Sequence, residues 1–260
     1  MNHNIEIVSI LGLMDVKLKY QNSKLGFLWS FIKPLSQFLV YFTIFGLILK
    51  VGAGKEYPLR LFFGIIIWVF FSESTSLALT SFIGKKSIVT KIKVNNILIP
   101  ISAYVAPLIN FFLNFLVFFL IFHLLIENPS KIYTITKLLI FSFSFITLSM
   151  LIIALNILIS NLNVLFRDIQ QIWELILTYG VFLTPIIYNI PVPEKYRSLY
   201  YSLNLLVVPL ENLKTVFFNY DVHLYKNPML MFQHSSLVIL LFVVSLLINK
   251  KLNKKVVDYL

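Results

Sequence analysis

The chain of 260 residues has no cysteine, and only 13% of its residues are charged against 58% hydrophobic. Without cysteine there are no disulfides, thiolate metal sites or cysteine nucleophiles, and the redox compartment stays open. The scarcity of charge excludes more. A soluble domain carries about a quarter charged residues, and this chain, with a mean hydropathy of +0.86, lacks the polar residues for a solvated globule. Acidic residues are half as many as basic ones, 11 against 22, which leaves a formal charge of +11. In a soluble domain that excess points to nucleic acid. Here the lysines border apolar runs, so they read as anchors beside lipid head groups.

Catalytic constellations are missing too. His3, His123, His223 and His234 are scattered without metal-ligand spacing, and no paired acidic motif exists to hold a metal. The stretch VGAGKEY at 51–57 has Glu56 where a phosphate loop needs a hydroxyl after Lys55, so ATP is not bound by that device. The first twenty residues show no basic region followed by an apolar core and a small-residue cleavage site, so the first span is expected to insert uncleaved.

What is present is long apolar runs. A helix needs about 20 apolar residues to cross about 30 Å of hydrocarbon. The gaps between charges predict an all-α membrane protein with six transmembrane helices, roughly 30–50, 61–84, 101–126, 138–162, 175–193 and 227–249, in one domain over 1–260. Thirteen of the 22 Lys and Arg fall on the face carrying both termini, and four of the other nine lie in the long loop 191–228, which predicts cytoplasmic termini.

Ile7, Leu11, Met14 and Leu18 recur at helical spacing within 1–29, as an interfacial helix requires. Between spans two and three, 85–97 predicts a short basic cytoplasmic helix capped by Ser87, with Ile88 and Ile92 apolar and Asn95 or Asn96 on the next turn. It suits docking to a soluble partner and equally suits a positive anchor. Asp168 and Gln171 have capping-box spacing, and Arg167 sits beside head groups. Glu73 lies inside a span, which marks either a pathway or a polar pairing in the bundle. In 191–228, Pro191, Pro193 and Pro209 break the chain while Leu199, Leu203, Leu206, Leu210 and Leu213 keep helical intervals. Two short helices joined within 204–209, resting on or re-entering the outer surface, satisfy that pattern as a gate or as an inert cap.

Three stretches carry a family resemblance. In KLKYQNSKLGFLWSFIKPL the residues are Tyr20, Ser23, Leu25, Gly26, Trp29 and Pro34; in LNVLFRDIQQIWELILTYGVFLTPIIY they are Leu162, Asn163, Phe166, Arg167, Asp168, Thr184, Pro185, Ile187 and Tyr188; in SLNLLVVPLENLKTVFF they are Asn204 and Pro209. In this order the chain resembles the permeases of ABC transporters that export polysaccharides such as O-antigen, capsule and teichoic acid. It departs from their pattern at Leu205, where proline is common, and at 94–100, where only Pro100 of a longer motif remains.

The resemblance implies a homodimer in the bacterial inner membrane, joined to two copies of a cytoplasmic ABC ATPase that holds the ATP and Mg, and a lipid-linked glycan as substrate. It implies no cofactor and no catalysis on this chain. It implies an ATPase-coupling helix with Ser87, Ile88, Lys91, Ile92, Lys93, Asn95 and Asn96, and a gate helix with Lys17, Lys19, Tyr20 and Trp29. Re-entrant outer helices between spans five and six would place Tyr196, Tyr200, Asn204 and Pro209 at an outer gate. Tyr41, Phe45, Trp68, Phe70 and Glu73 are channel candidates, the aromatic faces suiting sugar rings. An exporter of small lipids or drugs and a non-transporting scaffold are the competing readings; a membrane-embedded glycan-processing enzyme lacks its clustered acid, base or metal.

Overall fold

The computed structural model describes residues 3–21, 23–51, 54–91, 95–126, 134–188, 193–218 and 224–259. Among these there are helices and no strands. The chain runs α1 (His3–Tyr20), α2 (Trp29–Tyr41, continuing as a π-helical stretch Phe42–Ile48), α3 (Tyr57–Leu79), α4 (Ser81–Gly84), α5 (Lys86–Lys91) and α6 (Leu98–Ser102). It continues with α7 (Val105–Leu125), α8 (Ile135–Leu165), α9 (Ile169–Leu183), α10 (Glu194–Leu203), α11 (Val207–Phe217) and α12 (Pro228–Tyr259).

Among the described residues, five helical segments are long and apolar enough to cross a membrane: Gly26–Ile48, Tyr57–Leu79, Leu98–Leu125, Ile135–Leu165 and Pro228–Leu252. The expected crossing at 175–193 differs. Its helix, α9, has 15 residues and stops at Leu183, ahead of Pro185, so it is about 22 Å long at 1.5 Å per residue. The second crossing begins and ends earlier than 61–84, because Pro58 starts α3 and the chain breaks at Thr80. The third begins at Leu98 and is interrupted at Ala103 and Tyr104. The last runs ten residues beyond 249, through its basic end, as far as Tyr259.

α3 is the centre, with every residue from 61 to 71 buried. It packs on α7 and α8, and α12 lies along α8. Inside lipid there is no hydrophobic drive between helices, so contact geometry has to hold them. The phenylalanines provide it: Phe63 meets Phe118 at 4.8 Å between centroids and Phe70 meets Phe111 at 4.9 Å, an antiparallel register of α3 and α7. At the end of the bundle where the termini meet, Leu11, Phe82, Val89, Ile99 and Val256 form a second apolar cluster.

The face that α1 turns to the bundle carries only part of its apolar line. Leu11, Gly12 and Asp15 are buried, while Met14 and Leu18 are exposed. Gly12 lets α1 close onto α7, since a Cβ there would stand 2.4 Å from the Cβ of Val105.

Pro34 sits within α2 and has no N–H for the carbonyl of Ser30 one turn back. Asn114 of α7 supplies the missing donor, its Nδ2 lying 3.0 Å from that oxygen. Replacing Asn114 with Leu should therefore destabilise the bundle by about 1–3 kcal/mol, the cost of a buried unpaired carbonyl. Thermal unfolding in detergent checks this, and Pro34→Ala, which restores the N–H, should recover most of the loss.

Candidate functional site

Among the described residues, three clusters built on ion pairs interrupt the apolar bundle. The first centres on Glu73, about one and a half turns before the end of α3. Lys19 of α1 donates to Oε2 at 2.9 Å and Lys33 of α2 to Oε1 at 3.2 Å. Asn110 of α7 donates to Oε2 at 3.3 Å and accepts from the Tyr20 hydroxyl at 3.2 Å. Glu73 therefore sits in a polar pairing that ties α1, α2 and α7 to α3. Its side chain is 12% exposed, whereas those of Lys19 and Lys33 are 38% and 57% exposed, so the carboxylate is the desolvated partner.

The second cluster joins α1 to the segment before α5. Lys85 pairs with Asp15 at 2.6 Å and donates to Ser102 of α6 at 3.2 Å, with both charged groups largely out of solvent. Asp15 and Lys19 are one helical turn apart, so α1 is pinned at two successive points on one face.

The third cluster lies where α9 ends. Helix termini leave carbonyls without donors, and here α10 and α11 answer them. Tyr200 donates to Leu183 O at 2.9 Å, and Asn204 to Leu183 O at 3.2 Å and Thr184 Oγ1 at 3.0 Å. Lys214 donates to Pro185 O while paired with Glu211 at 3.1 Å, both side chains almost fully buried. His234 of α12 donates to Leu205 O at 2.9 Å. Beside this cluster lies a cavity of about 640 Å³ whose walls include Trp68, Phe71, Tyr179, Gly180 and Thr184.

The residues singled out from sequence fall variously on these features. Lys19 and Tyr20 enter the first cluster, while Lys17 and Trp29 are exposed. Trp68 lines the cavity and touches Gly180. Tyr41 and Phe45 neighbour each other on the first span at 6.3 Å. Phe70 is different: it is 2% exposed and packed among Phe111, Phe145 and Tyr104, so its ring belongs to the core.

Tyr200 and Asn204 bond the end of α9, Pro209 is buried in α11, and Tyr196 is exposed. Ser87 is exposed and lies inside α5, which begins at Lys86, so Ser87 is not its cap. Ile88 packs on the second apolar cluster; Asn95 is exposed and Asn96 buried. Ile92 and Lys93 lie outside the described residues, as does the side chain of Lys91. Asp168 stands at the start of α9 without a side-chain capping bond, because its backbone is already helical and cannot turn the carboxylate onto the first turn. Asp15, Lys85, Asn110, Asn114, Glu211 and Lys214 were missed. The only sequence signal for the asparagines was polarity inside a charge-free run.

Comparison with known proteins supplies the family. The model of the ABC-2 type transporter family matches residues 8–218, from α1 to the end of α11. The chain belongs to that family. This ABC-2 transporter chain is similar to the O-antigen export system permease protein RfbA of Myxococcus xanthus, 26% identical over 211 residues, covering 79% of this chain and 78% of that one. It is also similar to the O-antigen export system permease protein RfbA of Klebsiella pneumoniae, 32% identical over 97 residues, or 37% of each chain.

In this ABC-2 chain the Glu73 cluster holds α1 down. Glu73→Gln should destabilise it by roughly 1–3 kcal/mol, the value of hydrogen bonds to a charged group. Lys33→Gln, at a more exposed ammonium, should cost under about 1 kcal/mol. Proteolysis at α1 and thermal melting of the two purified variants measure the difference.

Proposed function

We propose that this chain is the transmembrane subunit of an ATP-driven exporter that moves a lipid-linked polysaccharide, of the O-antigen, capsule or teichoic acid type, across the inner membrane of a bacterium. The observation that carries this reading is the similarity to the Myxococcus xanthus O-antigen export permease over 79% of the chain. The chain acts as a homodimer with two copies of a cytoplasmic ABC ATPase, which bind ATP and Mg and perform the hydrolysis. Both termini face the cytoplasm.

In this reading α9 is a sixth crossing shortened at Pro185, and α10 and α11 re-enter from the outer side as a gate. Backbone that breaks at membrane depth is tolerated only where protein buries it. Every residue of α11 is buried, and the broken end of α9 has donors from Tyr200, Asn204 and Lys214, which supports the reading. α1 is the gate helix at the opposite face, and the segment from α5 through Asn96 docks into the ATPase. The pairing of Asp15 with Lys85, immediately before α5, gives that segment a direct grip on α1. The aromatic walls of the 640 Å³ cavity offer sugar rings a face to slide on without tight binding.

Co-expression of this chain with its ATPase should yield a stoichiometric complex with vanadate-sensitive hydrolysis, and transport of lipid-linked glycan in sealed vesicles. A chain that purifies with no ATPase bound would remove the exporter reading. Lys91→Glu with Lys93→Glu should lower ATPase association and transport at least tenfold while the chain melts as before, read by pull-down and thermal unfolding. Unchanged association and transport would show that the segment is a membrane anchor only.

A further inference from the structure

A second cavity, of about 580 Å³, lies between α2, the first turns of α3 and the last half of α7, and ends at Asn114, one turn beyond Asn110 of the first cluster. Its walls are Leu35 and Phe38 of α2, Phe62 of α3, and Val117, Ile121 and Leu125 of α7. Because Phe63 pairs with Phe118 and Phe70 with Phe111, the start of α3 and the end of α7 lie at the same end of the bundle, opposite the termini. The groove opens at that end beside Lys55 and Glu56.

Its depth is set by α7. Asn114, Val117, Ile121 and Leu125 line one face of that helix, and the span from 114 to 125 covers about 16 Å. Half of a hydrocarbon core about 30 Å thick is about 15 Å, the depth of one leaflet. The blind end is closed by Asn114, whose amide is already bonded to Ser30 O and Asn110 O and offers no donor to a ligand. Leu35 and Leu125 are 48% and 65% exposed, so the groove is open sideways to its surroundings. At the mouth Lys55 is exposed and Glu56 half-buried, so among the described residues the charge presented there is the ammonium.

We infer that this groove holds one acyl chain of an anionic phospholipid from the leaflet opposite the termini, with the phosphate against Lys55. The apolar walls take the chain, and the lysine stands at head-group level, where about one leaflet of depth puts it. The site is independent of the transport substrate and of the ATPase.

The test is lipid retention by the full-length protein in nanodiscs of phosphatidylcholine with a minor fraction of phosphatidylglycerol, followed by native mass spectrometry. One phosphatidylglycerol per chain should survive delipidation. Ile121→Trp, which fills the groove, should abolish it. Lys55→Ala should reduce the preference for phosphatidylglycerol over phosphatidylcholine about fivefold, the effect of one basic residue near an anionic surface. Glycerol phosphate alone should not displace the lipid, because the acyl chain carries most of the contact.

Full retention in an Ile121→Trp protein that melts like the parent would overturn the proposal. So would loss of chain-to-chain association in that variant with no lipid retained by the parent, an outcome that gives the groove to a second copy. If Ile121→Trp does not fold, Lys55→Ala decides alone: it lies in an exposed loop, and an unchanged head-group preference there rejects the site.

Discussion

A backbone break in hydrocarbon exposes carbonyls that water cannot reach, and each one must find a donor inside the protein. This constraint organises the fold. Pro34 frees Ser30 O, and Asn114 takes it; α3 ends at Leu79, and Asn163 of α8 donates to that carbonyl at 2.9 Å. The break after α9 is met by Tyr200, Asn204 and Lys214, and the hydroxyl of Tyr57 donates to Ile187 O at 3.0 Å. The donors come from other elements in every one of these cases, from other helices in all but Asn204, which lies between α10 and α11. Closing a break therefore also fixes how two helices sit, which apolar contacts in lipid do weakly.

The buried charges follow the same economy. Glu211 and Lys214 are 4% and 3% exposed at the side chain, and a pair so deep gains little over apolar packing once desolvation is counted. What Lys214 adds is a donor for Pro185 O, which a neutral aliphatic residue lacks. Glu73 and Asp15 play a matching part at the other end, where Glu73 holds Lys19 and Lys33 and Asp15 holds Lys85, each lysine from a different element than its carboxylate. Since Asp15 and Lys19 lie on one face of the rigid α1, a shift of Lys85 and a shift of Glu73 bear on the same helix.

The spans were legible because length and lack of charge are local properties. Long charge-free runs gave the crossings at α7 and α8, and the periodic leucines with prolines gave the pair α10 and α11. Register was not legible. Ile7, Leu11, Met14 and Leu18 gave a helix at α1 but not the face it turns to the bundle, because Gly12 and Asp15 are chosen by partners ninety-three and seventy positions away, Val105 and Lys85. The capping box at Asp168 was a local pattern that the backbone did not use. Glu73 stood out because a charge in a span is rare; Asn110 and Asn114 did not, because an asparagine in a span looks like any tolerated polar residue until its acceptor is known.

Aromatic content also divides in a way that composition conceals. Phe63, Phe70, Phe118 and Phe122 are 0–2% exposed and stack α3 on α7, with Phe217 of α11 set against Phe118 at 5.3 Å. These rings hold α11 in the bundle and leave no face for a sugar. The cavity instead takes its aromatics from Trp68, Phe71 and Tyr179, on the side of α3 that faces α9. A phenylalanine in this sequence is thus more often a fastener between helices than a wall, and the helix pair it joins decides which. For α3, the stretch from Phe63 to Phe70 is closed packing against α7, whereas the side toward α9 borders the larger cavity.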